Sequence, residues 1–139
     1  MTEAPATFVD VSRTVTFSSA HRYFSPALSL DENKVAYGSL YRDEGFGHNF
    51  LLEAHFTGPI DPLTGMIANL VDIDHWLKSV ASHYDHMFLN ELPDFKDVAP
   101  TPERIALAFF DRLKGLASNV TIVRVRLYEG PGFWVDYCG

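Results

Sequence analysis

The sequence predicts an α+β domain in which one antiparallel four-stranded sheet carries two helices on one face. Three observations lead there. Stretches near both ends alternate apolar and polar residues with the two-residue period of strands, while two central stretches repeat apolar residues every three or four positions, as helices do. The 139 residues, 47% of them hydrophobic, suffice for one core and are too few for two ordinary domains. Residues 1–139 therefore read as a single domain with the order strand, strand, helix, helix, strand, strand.

The first strand runs from Phe8 to His21, with Val9, Val11, Arg13 and Val15 on one face. A second covers about His48 to Thr57 and stops at Gly58-Pro59. Between them Ser25 to Gly45 is rich in Ser, Asp, Glu, Asn and Gly without a clear period, so it reads as a long loop of the kind that often carries function. Ile60 to Met66 forms a turn and a short extended return. Asp72 is placed to cap the first helix, whose apolar positions are Ile73, Leu77, Val80 and Tyr84. Thr101-Pro102-Glu103 opens the second, with a capping hydroxyl, proline at the first helical position and an acid in the first turn. That helix continues through Ile105, Phe109, Leu113 and Leu116. Val123, Val125 and Leu127 then alternate with Arg124 and Arg126, Gly130-Pro131-Gly132 turns the chain, and Phe133 to Tyr137 returns. An open sheet of four strands has two unprotected edges, and pairing between subunits is one way to cover them.

A net charge of -7 and a pI near 5.2 argue against a nucleic-acid surface, which needs clustered Lys and Arg. No apolar run approaches the ~20 residues that span a bilayer, and Met1 to Thr7 lacks the basic start and apolar block of a signal peptide. A cytoplasmic location is expected. Cys138 is the single cysteine, so there is no disulfide framework. The expected partner is a small molecule or another subunit.

The histidines matter by placement. His21 ends the first strand and His48 begins the second. Singly, each is more simply a structural histidine. Residues 46 and 48 share a strand face, so imidazoles at both could chelate a metal with His21, but position 46 is phenylalanine. In Asp85-His86 a carboxylate beside an imidazole can fix its tautomer for proton transfer. Glu129 precedes a glycine-rich turn, where a carboxylate can accept paired hydrogen bonds from a guanidine-like ring edge or simply be solvated. Glu44, in the long loop, is either an active-site base or one more solvated acid beside Asp43. His55 and Glu53 lie on the opposite face from His48, and His75 and His83 read as surface residues of the first helix.

Seven segments recur together in one family. They are Phe17-Ser18-Ser19-Ala20-His21, Tyr37-Gly38, Gly47-His48-Asn49-Phe50, Gly58 to Met66 with Asn69-Leu70, Asp85-His86 with Leu89-Asn90, Pro100 to Glu103, and Tyr128-Glu129. On these, in this order, the chain resembles the 6-pyruvoyl-tetrahydropterin synthases and the related 6-carboxytetrahydropterin synthases over nearly its whole length. The resemblance implies a tunnelling fold, with subunits pairing sheets into a trimeric barrel and two barrels stacking as a homohexamer. It implies a pterin pocket between subunits, Glu129 on the ring's amino and N–H groups and Thr101 nearby. It also implies a zinc ion on three histidines that polarises the side-chain oxygens of a dihydroneopterin-type substrate, a cysteine that takes protons, and an assisting Asp-His pair, here Asp85 and His86.

Two of those pieces are changed. The family's His-Gly-His is Phe46-Gly47-His48, leaving His21 and His48 as the metal ligands, and the family cysteine falls on Leu40. Zinc is expected to be weakened or absent unless Glu44 or another acid completes the set. Some relatives use a glutamate two residues before the His-Gly-His beside or instead of the cysteine, and Glu44 occupies that position. The readings are a lyase on a 7,8-dihydroneopterin (triphosphate)-type substrate, with Glu44, Asp85 and His86 moving protons, or an inactive pterin-binding homologue serving as sensor or partner subunit.

Overall fold

The computed structural model of the chain describes residues 5–139, so the first four residues of the Met1–Thr7 stretch lie outside the described residues. Strand β1, Phe8–His21, pairs antiparallel with β2, Phe46–Pro59, along the full length of both, from Phe8 opposite Pro59 to His21 opposite Phe46. After β2 come the central helices, and then β3, Thr121–Gly130, and β4, Phe133–Tyr137. The sheet order is β1-β2-β3-β4, antiparallel throughout, with a bulge in the β2–β3 register between His55 and Phe56. The second strand begins two residues earlier than its alternation suggests because β1 pairs it to the end.

Alternation then sorts the side chains. Phe17, Phe50, Leu52, Ala54, Phe56, Val125 and Leu127 are buried on one face, while Ser12, Asn49, Glu53, His55 and Arg126 leave the other face polar. The helices cover the apolar face. In the numbering by chain order, α2 is Leu70–Tyr84, packed on β1, and α3 is Pro102–Leu116, packed on β3 and β4. Ile73, Leu77, Val80, Ile105, Phe109 and Leu113 are their buried positions, at the spacing the sequence shows. Phe17 stacks on Phe50 at 5.2 Å and meets Phe109 and Tyr84 at 6.0 Å each, and truncating any such ring to alanine costs about 3–5 kcal/mol.

Two expectations are corrected. The Ser25–Gly45 stretch is not all loop: it holds a third helix, α1, Leu30–Tyr37, and a 3-10 turn at Gly38–Leu40. Ser29 and Glu32 close a reciprocal capping box at its start, and buried Asn33 donates to the carbonyls of Ser25, Leu28 and Ser29. Apolar periodicity is missing there because α1 lies off the sheet and Asn33 is its one buried residue. Among the described residues there are accordingly three helices, two of them on the sheet. The cap of α2 is Asn69, accepting from the Val71 N–H at 2.9 Å, and Asp72 sits in the first turn, where it favours the positive helix end instead.

Candidate functional site

The chain just after β1 is held from three sides. Asn90 brackets Arg22, donating to its carbonyl at 3.0 Å and accepting its N–H at 2.8 Å. Gly45, at φ +69°, passes so close that a β-carbon there would lie 2.4 Å from the His21 carbonyl oxygen. The Nδ1–H of His21 donates to the Pro100 carbonyl at 2.7 Å. That last bond leaves Nε2 of a ring that is 0% exposed as a bare acceptor with no partner. Burial, and more weakly the His48 ring, push His21 down to about 4 against the pull of the Pro100 bond, so the imidazole is neutral at pH 7.

His48 stands two residues on from Phe46, on the same face of β2, and the Phe46 ring lies beside it, 6.1 Å away and nearly parallel. The rings of His48 and His21 are 5.4 Å apart. Nε2 of His48 is buried and 3.2 Å from Oε1 of Glu129, an approach without hydrogen-bond geometry. Ligand atoms of His21, His48 and Glu129 all lie within 4.8 Å of one another. Two imidazole nitrogens and one carboxylate oxygen are donors that zinc accepts, and the carbonyl bond on the second nitrogen of His21 is the usual orienting contact of a metal-bound histidine. The residues present fit a zinc ion.

Tyr23 walls this group, its ring 5.2 Å from His21, 5.6 Å from Tyr37 and 6.1 Å from Phe46. Burial first, then the carboxylates of Glu129 and Glu103, push its phenol up to about 12. Sequence reasoning did not single out Tyr23 or Glu103 for the site. Tyr23 continues the two-residue spacing of the face that carries His21, and Glu103 had a ready explanation as a helix-start acid. Thr101 caps α3, its hydroxyl accepting from the Arg104 N–H at 3.3 Å, and follows Pro100 directly.

Asp85 and His86 follow α2 directly and, with Met87 and Phe88, cap the outer edge of β1 at Ser18–Ala20. Asp85 accepts the Ser18 N–H at 2.8 Å and lies 2.9 Å from Nδ1 of His86. The Ser18 bond chiefly, with help from His86, holds the Asp85 carboxyl below its ordinary range. The backbone of His86 is left-handed at φ 58°, a conformation rare for a residue with a β-carbon, and it is tied by its N–H to the Ser18 carbonyl at 2.6 Å. The His86 ring is exposed, and it borders a cleft of about 490 Å³ together with Ser18, Gly47, His48 and Asn49. Glu44 lies apart from the His21, His48 and Glu129 group; its side chain is 75% exposed and 3.8 Å from Arg42. Leu40 ends the 3-10 turn and is about half exposed.

A sequence profile of 6-pyruvoyl tetrahydropterin synthase matches residues 10–139. The 6-pyruvoyl tetrahydrobiopterin synthase of Homo sapiens is 34% identical over 131 residues, 93% of this chain and 90% of that protein. That of Dictyostelium discoideum is 36% identical over 133 residues, 94% and 96% of the two. The structure of Caenorhabditis elegans 6-pyruvoyl tetrahydropterin synthase matches with a TM-score of 0.93 over 99% of each chain at 29% identity. The tunnelling fold implied by the sequence segments is thus the fold found. With the profile covering all of the sheet but the first two residues of β1, and with relatives above 30% identity along nearly their whole length, the chain belongs to the 6-pyruvoyl tetrahydropterin synthase family.

Proposed function

We propose that the protein is a pterin lyase acting on a 7,8-dihydroneopterin-type substrate, the triphosphate included. One observation carries this: the neutral, bare Nε2 of buried His21 faces His48 and Glu129 at the end of the sheet, beside the start of α3. The names of the human and Dictyostelium relatives support it. In this reading the pterin ring lies against Tyr23 and the Thr101–Glu103 turn, and carboxylate oxygen of Glu129 accepts from its amino and ring N–H groups. Zinc, when bound, supplies polarisation of the substrate's side-chain oxygens.

Proton transfer falls to this chain's own side chains. Asp85 holds Nδ1 of His86, so the far nitrogen of that ring is free to take a proton from the substrate side chain and pass it on. Glu44 is proposed as the second base, in place of the thiol that Leu40 cannot supply. It is solvated and joined to Arg42 only at 3.8 Å, so little holds it from moving toward a bound ligand. The exposed His86 and the outer edges of β1 and β4, with the Ser18–Ala20 end of β1 capped by residues 85–88, suit a pocket finished by a neighbouring subunit in a homohexamer, working in the cytoplasm.

The test is incubation of zinc-supplemented protein with 7,8-dihydroneopterin triphosphate, with pterins separated by chromatography and pterin binding followed by calorimetry. Turnover is expected. Binding without turnover would identify a non-catalytic pterin binder, for which Leu40 is the structural argument. Neither binding nor turnover would end the pterin reading altogether.

A further inference from the structure

We propose that Glu129 is the third protein ligand of the metal site, so that the chain binds zinc through two histidines and one carboxylate, Phe46 having taken no part in the site. The inference rests on the functional reading above only in supposing that the site takes a metal. Three features carry it. The two imidazole nitrogens that face the centre, Nε2 of His21 and Nε2 of His48, are both buried and both without a hydrogen-bond partner, and buried polar atoms left unpaired persist in a folded core when something else satisfies them. The one carboxylate that joins them among the described residues is Glu129, with Oε1 3.2 Å from His48. Position 46, which shares the strand face and lies opposite His21, offers a phenyl ring and no donor.

Charge favours this arrangement. Two neutral imidazoles leave a divalent cation fully charged in a buried setting, and a carboxylate at the third place cancels half of that charge. Atoms bound to one tetrahedral zinc lie ~3.3 Å apart, so ligand atoms now within 4.8 Å of one another would draw together by about 1.5 Å or less on binding it. Glu44, the acid first expected to fill the gap, is outside this group and solvated. With Oε1 turned to the metal, Oε2 of Glu129 and the carboxylate of Glu103 remain for the pterin edge.

The experiment measures zinc and cobalt(II) affinity of the full chain by competition with a chromophoric chelator, together with the visible spectrum of the cobalt form. Wild type is expected to bind one metal per chain. Sharing the affinity of a four-ligand zinc site evenly over its ligands gives roughly 100-fold per ligand, and Glu129→Gln should lose about that much and shift the cobalt bands. Glu44→Gln should change neither. Phe46→His in the Glu129→Gln background should restore affinity, because an imidazole on the same strand face replaces the lost donor, and this rescue separates ligand loss from misfolding. If Glu129→Gln binds metal as tightly as wild type with unchanged cobalt bands, or if wild type binds no metal, the proposal is overturned. Pterin turnover is measured on the same samples: metal binding that depends on Glu129, without pterin binding or turnover, would sink the functional reading and leave the metal proposal standing.

Discussion

His21 and Pro100 are joined by a 2.7 Å hydrogen bond from an imidazole Nδ1–H to a backbone carbonyl, and that one bond aims the rest of the site. It links the end of β1 to the residue before the cap of α3. It also fixes which nitrogen of His21 carries the proton, leaving Nε2 free toward His48 and Glu129. Whatever moves the backbone around His21 therefore moves that nitrogen.

Gly45→Ala tests this. The substitution forces a β-carbon into left-handed backbone and to within 2.4 Å of the His21 carbonyl oxygen, which is backbone and cannot swing aside. We expect a loss of about 3 kcal/mol in stability by urea denaturation, the sum of the left-handed penalty and the displacement, together with weaker zinc binding. Stability within ~0.5 kcal/mol of wild type would mean that the close approach is not needed.

Asp94 supplies a pH dependence of stability. It accepts two hydrogen bonds from Arg112, at 2.8 and 2.7 Å, and one from the Tyr84 hydroxyl at 2.7 Å, which joins α2, α3 and the segment between them. Arg112 chiefly, then Tyr84, hold its carboxyl well below the ordinary value of 3.8, against an opposing effect of burial. A depressed folded pKa contributes stability that is fully present above the unfolded value and is lost as pH falls below about 4. Asp94→Asn should cost about 1–2 kcal/mol at pH 6, by weakening its bonds to Arg112 and Tyr84, and less at pH 3. Urea midpoints at the two pH values check it; a cost equal at both would show that the carboxylate charge is not what matters.

Removing His86, the proposed proton carrier, should leave the fold alone. The His86 side chain is 83% exposed, so His86→Ala is expected to shift stability by no more than ~0.5 kcal/mol while lowering kcat ~100-fold or more and leaving pterin affinity nearly unchanged. Asp85→Asn should lower kcat in the same direction, since an amide can still accept the Ser18 N–H but no longer favours the imidazolium. Steady-state kinetics on dihydroneopterin triphosphate would contradict the assignment if both variants turned over at the wild-type rate.

Glu44→Gln separates the proposed second base from the proposed metal site. Because its side chain is solvated and remote from His21, His48 and Glu129, zinc affinity and thermal stability should not change, whereas turnover should fall by ~100-fold. Unchanged turnover would return Glu44 to the role of a surface acid paired with Arg42.

Much of this architecture is legible in the chain itself. Alternation at Phe8–His21 and Val123–Leu127, and the three- and four-residue spacing of Ile73, Leu77, Val80 and Tyr84, identify strands and helices because each buries one face against the same core. The capping chemistry of Thr101-Pro102 is local and was readable for the same reason. Helix α1 escaped because it buries almost nothing; its signal was the Ser29–Glu32 capping box inside a stretch whose polar composition resembles a loop.

By itself the sequence determined the sheet and the two packed helices, which follow from periodicity, and its seven ordered segments identified the family and, through that resemblance, associated His21 with His48. Only the tertiary structure decided which acid joins the two histidines. Glu129 is far from both in the chain and arrives through β3, while Glu44, four residues from His48, is carried away into solvent by the turn at Gly45. Ligand sets depend on distances of a few ångströms between elements, and separation along the chain does not encode them until the strands have paired and the sheet has placed their ends together.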